Sequence, residues 1–381
     1  MTDRAIELRA QGRDIISLSV GEPDFPTPDH VKQAAKDALD ANDTRYTAVV
    51  GTAALRDAAA LHFRRDLGLV VDPADVIVSA GGKQAIFLAL CATLDPGDEV
   101  LVPSPWWVSY PEIVRFAGGT VVDLPTTAEG GFRLTAAQLE AAITPVTRWL
   151  LLNSPGNPTG AVLTLEEWKE LFALSDQHGF VIASDECYSE IYFGNERPLG
   201  GLEAAHKLGR KYDRLISFSS LSKRSNVPGM RSGFVAGDAA ILQKFLLYRT
   251  YHGSAMSPSV QAASIAAWND ETHVEGNRAK YLQKFSQVTP MLAEVLDVAL
   301  PDAGFYLWAR VDKLGKINDT EFARRLYAEY NVTVLPGSYV AREAHGINPG
   351  ANRVRMALVA EVDECVEAAQ RIVEFTRKLA A

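Results

Sequence analysis

Along the first two-thirds of the chain, short apolar runs rich in β-branched residues recur: VIVSA (76–80), EVLVPS (99–104), TVVDL (120–124), RWLLLNS (148–154), FVIASDE (180–186), RLISFSS (214–220) and GFVAG (233–237). Each has the length and composition of a buried strand. Between them lie apolar stripes at helical spacing, such as KQAIFLALCATL (83–94), which the turn signal DPGD closes. This alternation predicts an α/β fold, a mostly parallel sheet sandwiched by helices. In such sheets ligands gather where strand carboxyl ends meet helix N-termini.

After about residue 255 the pattern changes. Long helices are predicted over VQAASIAAWND (260–270), from Thr272 to Val298, and over VDECVEAAQRIVEFTRKLAA (362–381), with short strands at FYLWARV (305–311) and VRMALV (354–359). These read as a smaller α+β domain, formed by 1–25 and 271–381, beside a large domain at 26–270. No repeat, low-complexity tract or linker separates them, so they should pack together around a cleft.

Composition narrows the function. The 381 residues are 47% hydrophobic and 22% charged, with a formal charge of -9. That balance argues against nucleic-acid or anionic-membrane partners, which need a clustered basic face. Cys91, Cys187 and Cys365 are scattered and show no C-x-x-C spacing, so they predict neither a disulfide framework nor a thiolate metal site. No signal peptide and no long apolar span is visible, which suggests a cytoplasmic protein.

The usual nucleotide, zinc-protease and serine-hydrolase motifs are missing. The seven histidines show no metal-ligand spacing, and no metal is expected. What stands out is a set of polar segments placed where strands run out. SSLSKRSNVPGMRSG (219–233) holds Lys223 just beyond a buried run, with Arg231 eight residues later. A lysine there can be partly desolvated, which lowers its pKa and makes its amine a Schiff-base nucleophile; the plain alternative is a surface lysine. ASDECY (183–188) places Asp185 and Tyr188 at a strand end, where a carboxylate either caps a helix or holds a protonated pyridine nitrogen. NSPGNPTG (153–160) is a turn by composition, leaving Asn157 for a further role. VSAGGKQAI (78–86) puts two glycines between strand and helix, so the amides of Gly82 and Lys83 can face an anion. SPWWVSY (104–110) offers Trp107 as a flat surface.

Taken together and in this order, these segments resemble the fold type I, class I/II aminotransferases that depend on pyridoxal phosphate. The resemblance covers essentially the whole chain. It implies that Lys223 binds the cofactor aldehyde covalently and then moves the proton between substrate Cα and cofactor C4′. Asp185 would keep the ring nitrogen protonated, Tyr188 and Asn157 would hydrogen-bond the phenolic oxygen, and Trp107 would stack on the ring. The cofactor phosphate would take the Gly82 and Lys83 amides, Ser220, Arg231, and Tyr46 from a neighbouring subunit, which implies a homodimer. Arg355, in NRVRMALV (352–359), is similar to the family arginine that clamps the substrate α-carboxylate, with Gly21 of VGEPDF (20–25) adding a backbone contact. The resemblance also implies that Trp107 and Asn157 contact the substrate.

Within the family the chain looks like a mosaic. Residues 1–150 resemble bacterial aspartate aminotransferases of subgroup Iβ. From about 165 onward, SDECYSEIYF (184–193), SLSKRSNVPGMRSGFVAGD (220–238), FLLYRTYHGSAMS (245–257) and LPGSYVAREAHGINPG (335–350) look more like N-succinyldiaminopimelate aminotransferases. The longer matches of the second half favour succinyldiaminopimelate as amino donor with 2-oxoglutarate as acceptor, and so a place in lysine biosynthesis; aspartate or glutamate is the alternative. Either substrate suits a cation such as Lys83 near the side-chain pocket. The family's segment preceding the helix at AIELRAQG looks short here, which implies a weaker dimer and an altered lid. A β-lyase using the same cofactor is a further alternative. A transcription regulator with this fold as its sensing domain is disfavoured, because no helix-turn-helix module accompanies it.

Overall fold

The computed structural model describes residues 7, 10–253, 255–312, 315 and 317–380; most of the helix expected at AIELRAQG lies outside them. In chain order the strands are β1 (Ile16–Ser17), β2 (Val76–Ser79), β3 (Glu99–Ser104), β4 (Thr120–Pro125), β5 (Thr147–Asn153), β6 (Val181–Asp185), β7 (Leu215–Ser220) and β8 (Gly233–Gly237), then β9 (Tyr306–Arg310), β10 (Val332–Thr333), β11 (Leu335–Pro336) and β12 (Arg353–Ala357). Strands β2 to β8, the seven apolar runs read from the sequence, form one sheet in the order β2-β8-β7-β6-β5-β3-β4. Strands β3 to β7 pair in parallel, and β8 runs antiparallel to its neighbours β7 and β2.

The runs are unbroken because both faces are covered. Leu150, Leu152 and Ile182 enter one core, while their chain neighbours Trp149, Leu151 and Ala183 enter the other. Burying a large side chain fully contributes roughly 1.5–3 kcal/mol, so this double packing fixes the register firmly. Local signals set the helices. Helix Leu165–His178 opens on a reciprocal cap between Thr164 and Glu167 and stops at Gly179, whose φ is 79°. Helix Gly82–Thr93 differs: it follows Gly81, at φ 82°, and has no side-chain cap. Its first-turn amides are therefore open to a ligand.

The register brings polar residues to one edge. Asn153 lies opposite Asp185, and Gly233 lies opposite both Ser79 and Ser220. The ends of β2, β5, β6 and β7 thus face the same way.

A second core holds Ile16, Leu18 and residues between Phe285 and Phe375. Here β11, β12 and β9 form an antiparallel sheet, and β1 pairs in parallel with β10. The last helix, Val362–Ala380, buries Cys365, Ala368, Ala369, Ile372 and Phe375, a stripe at helical spacing. The long helix spans Thr272–Ala293 and ends before the expected Val298, because Asp297 instead makes a strand-like bridge to Arg310. Among the described residues no helix is long and apolar enough to cross a membrane.

Candidate active site

A cavity of roughly 590 Å³ opens between the polar edge of the large sheet and the small sheet. Gly21, Gly82, Lys83, Trp107, Asn157, Asp185, Tyr188, Ser220, Lys223, Arg231 and Arg355 all line it. Of the residues singled out from the sequence, Tyr46 alone stands apart, fully exposed on the surface.

Lys223 sits in the short helix Leu221–Arg224 that follows β7. Its Nζ donates to the carbonyl of Gly21 and lies 5.3 Å from the centroid of the Phe305 ring. Burial pushes its ammonium down to about 8. A substantial fraction of the amine is then neutral near physiological pH, which an attack on a carbonyl requires.

Asp185 ends β6 and is buried. Tyr110 donates its hydroxyl to Oδ2 at 2.6 Å, and the Cys187 amide donates to Oδ1 at 3.1 Å. Among the described residues no lysine or arginine ion-pairs with it. Burial raises its pKa, against the effect of the hydrogen bonds from Tyr110 and Cys187. A buried acid without a protein counter-charge suits a ligand that brings a proton or a cationic nitrogen.

Arg355 projects from β12. Its Nη1 donates to Asn157 Oδ1 at 2.9 Å and its Nη2 to the Ser19 carbonyl at 2.8 Å, while the guanidinium lies 4.4 Å from the centroid of the Tyr306 ring. Its buried Nε has no acceptor. Asn157 is held in turn by its own amide, which donates to Asn153 Oδ1 at 2.8 Å, and its Nδ2 meets Tyr188 Oη at 3.5 Å. Gly21 has to be glycine: a Cβ there would sit 1.9 Å from the Tyr306 hydroxyl.

The opposite wall collects donors. Arg231, in a left-handed conformation at φ 54°, spans Gly81 so closely that a Cβ on that glycine would lie 2.3 Å from its Nη2. Its Nη1 donates to the Pro228 carbonyl, and no carboxylate neutralises it among the described residues. The Ser220 hydroxyl takes the Ser222 amide at 3.1 Å and lies 2.9 Å from the Ser222 hydroxyl. Lys83 Nζ lies 5.0 Å from the centroid of Trp107, whose ring meets Tyr110 edge-on. The donor set fits a phosphate, Asp185 a protonated ring nitrogen and Lys223 an aldehyde, so the residues present match the chemistry of pyridoxal phosphate.

A model of the class I and II aminotransferase family matches residues 13–372. The chain belongs to the class I and II aminotransferases. Enzymes of this family use pyridoxal phosphate. The chain is 38% identical to the aspartate/prephenate aminotransferase of Cereibacter sphaeroides, over 98% of this chain and 94% of that protein. An aspartate aminotransferase of Rhizobium meliloti is 36% identical over 99% and 92% respectively. Among solved structures, an aminotransferase from Neisseria meningitidis superimposes with a TM-score of 0.91 at 44% identity, covering 96% of this chain and 93% of that one. The Thermus thermophilus aspartate aminotransferase with maleate gives 0.89 at 34% identity, covering 98% and 94%.

These relatives correct one expectation. They are named for aspartate and prephenate, so the leaning towards succinyldiaminopimelate and lysine biosynthesis gives way to the acidic amino acid alternative. Part of the reason lies in one of the matched stretches. Ser220, Lys223 and Arg231, within 220–238, form the wall that fits the cofactor of this aminotransferase, and a cofactor cradle says little about the substrate side chain.

Several lining residues escaped the sequence reading: Tyr110, Asn153, Cys187, Ser222 and Tyr306. Tyr306 donates to or accepts from Tyr188 across 3.0 Å. Tyr110 and Cys187 sat inside segments already singled out, and the position of Tyr110 three residues after Trp107 was the available signal. Tyr306 lies in a strand remote in sequence, and only the fold reveals it.

Proposed function

We propose that this aminotransferase moves an amino group between acidic L-amino acids, aspartate or glutamate, and the matching 2-oxo dicarboxylates. The observation that carries the reading is the pair of cations lining one cavity: Arg355, with its Nε unpartnered, and Lys83 beside Trp107. Two such charges suit a dicarboxylate. The names of the relatives and the maleate in the Thermus structure support the same class.

When bound, pyridoxal phosphate supplies an aldehyde that condenses with amines and a ring that draws electrons from the carbon losing its proton. Lys223 would hold the aldehyde, and its amine, kept partly neutral by burial, would carry the proton to and from the substrate Cα. Asp185, held by Tyr110 and the Cys187 amide, keeps the ring nitrogen charged. Asn157 and Tyr188 would hydrogen-bond the phenolic oxygen, and Trp107 would hold the ring. The Gly82 and Lys83 amides, Ser220 and Arg231 hold the phosphate. Arg355 and Gly21 orient the α-carboxylate. The exposure of Tyr46 supports its role as a residue given to the phosphate site of a second copy in a homodimer.

Half-reactions followed by cofactor absorbance, with aspartate, glutamate, N-succinyldiaminopimelate and phenylalanine, test the substrate. Aspartate and glutamate should react with the highest kcat/KM. A faster reaction with N-succinyldiaminopimelate would overturn the assignment.

A further inference from the structure

We propose that His30, Asp270 and His273 form a binding site for a divalent transition-metal cation such as zinc, outside the active-site cavity. Their ligand atoms all lie within 4.8 Å of one another. His273 Nδ1 is 2.5 Å and His30 Nε2 is 3.8 Å from Asp270 Oδ2. Tetrahedral ligands bound at about 2.0–2.2 Å stand about 3.4 Å apart, so side-chain adjustments of roughly an ångström bring the three onto one ion. Two imidazoles and one carboxylate are a set that zinc, cobalt and nickel accept, and the remaining positions fall to water.

Three features separate this cluster from an ordinary ion pair. The inner ligand is oriented from behind: His273 Nε2 meets Ser225 Oγ at 2.8 Å, the outer contact that ligating histidines usually make. The ligands come from packed elements. His30 starts helix Asp29–Asp40, which lies against helix Pro258–Trp268, and Asp270 and His273 form the corner into helix Thr272–Ala293. Asp270 Oδ2 caps the following helix by accepting from the His273 amide at 3.1 Å, but no lysine or arginine pairs with it among the described residues, so no fixed cation competes for its charge. A second cluster, His62, Asp66 and Glu271, lacks this last property: Arg65 binds both of its carboxylates and Arg224 binds Glu271. Solvent reaches the first site, with the His30 side chain 44% and Asp270 31% exposed. When the cation enters, the proton between His273 and Asp270 leaves to water.

Cobalt(II) is the probe, because tetrahedral coordination gives it visible absorption, and equilibrium dialysis of the holoenzyme gives the stoichiometry. One cobalt per chain should bind, zinc should displace it, and His30→Ala should weaken binding at least about tenfold while transamination of aspartate continues unchanged. His273→Ala should abolish binding. Should that variant fail to fold, the exposed His30 decides alone. A wild-type enzyme that takes up no cobalt, or a His30→Ala variant that binds as tightly as wild type, overturns the proposal.

Discussion

Lys223 and Arg224 are neighbours in the chain and stand in opposite electrostatic surroundings. Lys223 faces a cavity with Lys83, Arg231 and Arg355, and among the described residues none of these four cations has a carboxylate partner. Arg224 turns the other way. It donates to the Ala267 carbonyl at 2.7 Å and to Glu271, and lies 4.7 Å from the Trp268 ring. Around it Arg65 binds Glu271 and Asp66, and Arg197 and Arg278 pair with Glu190. Burial alone would raise the Asp66 carboxyl, but hydrogen bonds from Arg65 and His62 hold it well below the usual carboxylate range. The lesson is that charge neutralised within the protein builds structure, whereas charge left unneutralised waits for a ligand. Both kinds lie within one turn of helix.

The largest effect should come from removing the amine on the cavity side. Lys223→Ala deletes the residue proposed above to anchor the cofactor and to move the Cα proton, and proton transfer alone is worth about 10²–10⁴-fold. Turnover should fall by at least that much, and after borohydride reduction and denaturation the variant should carry no covalently bound cofactor where wild type does. The same amine gives a pH signature. Below about 8 it is mostly protonated, so the rate of cofactor uptake by apoenzyme should rise with pH up to that point and then level off. A rate that is flat from pH 6 to 9 would show that its burial does not govern attack.

Arg355→Ala comes next. It removes a cation that is buried against Asn157, Ser19 and Tyr306 and strands the α-carboxylate of any amino acid. The loss should be about 2–5 kcal/mol in kcat/KM, or roughly 30- to 5,000-fold, and it should be equal for acidic and neutral substrates. A loss confined to aspartate would move this arginine to the side-chain pocket.

Arg224→Met probes the other side of the comparison. Breaking the pair with Glu271 should destabilise the fold by about 3 kcal/mol, the low end for a buried pair because Glu271 keeps 28% of its side chain exposed. A urea midpoint measures this. The kcat/KM of the folded variant should stay close to wild type. If catalysis falls while stability holds, the network positions Lys223 rather than supporting the sheet.

The cavity side was readable in advance because its residues follow strands. Seven apolar runs fixed where β2 to β8 end, and polar residues at those ends, Asn157, Asp185, Ser220 and Lys223, had to share an edge. The network behind Lys223 had no such signal. Arg65, Glu190, Arg224, Glu271 and Arg278 are scattered through the chain and sit in helices or turns where charged residues normally face water. The same holds for His30 and His273, whose 243-residue separation hides them from any reading of ligand spacing. The substrate was hard to read for a related reason: the stretch 220–238 supplies Ser220, Lys223 and Arg231 to the cavity, and residues that suit the cofactor carry little information about the substrate side chain.

The smallest effect is the most informative about that pocket. Lys83 is exposed at the start of its helix, and its Nζ lies over Trp107 without a carboxylate partner. An exposed ion pair contributes about 0.2–1 kcal/mol, so Lys83→Met should raise KM for aspartate by no more than about fivefold. The substitution leaves the backbone amide in place and with it that contribution to phosphate binding. KM for phenylalanine, which has no distal carboxylate, should therefore hardly move, and added salt should erase part of the difference between the two substrates. An equal rise for both amino acids would assign the side chain of Lys83 to the cofactor wall, and the proposed preference for dicarboxylates would then need another cation.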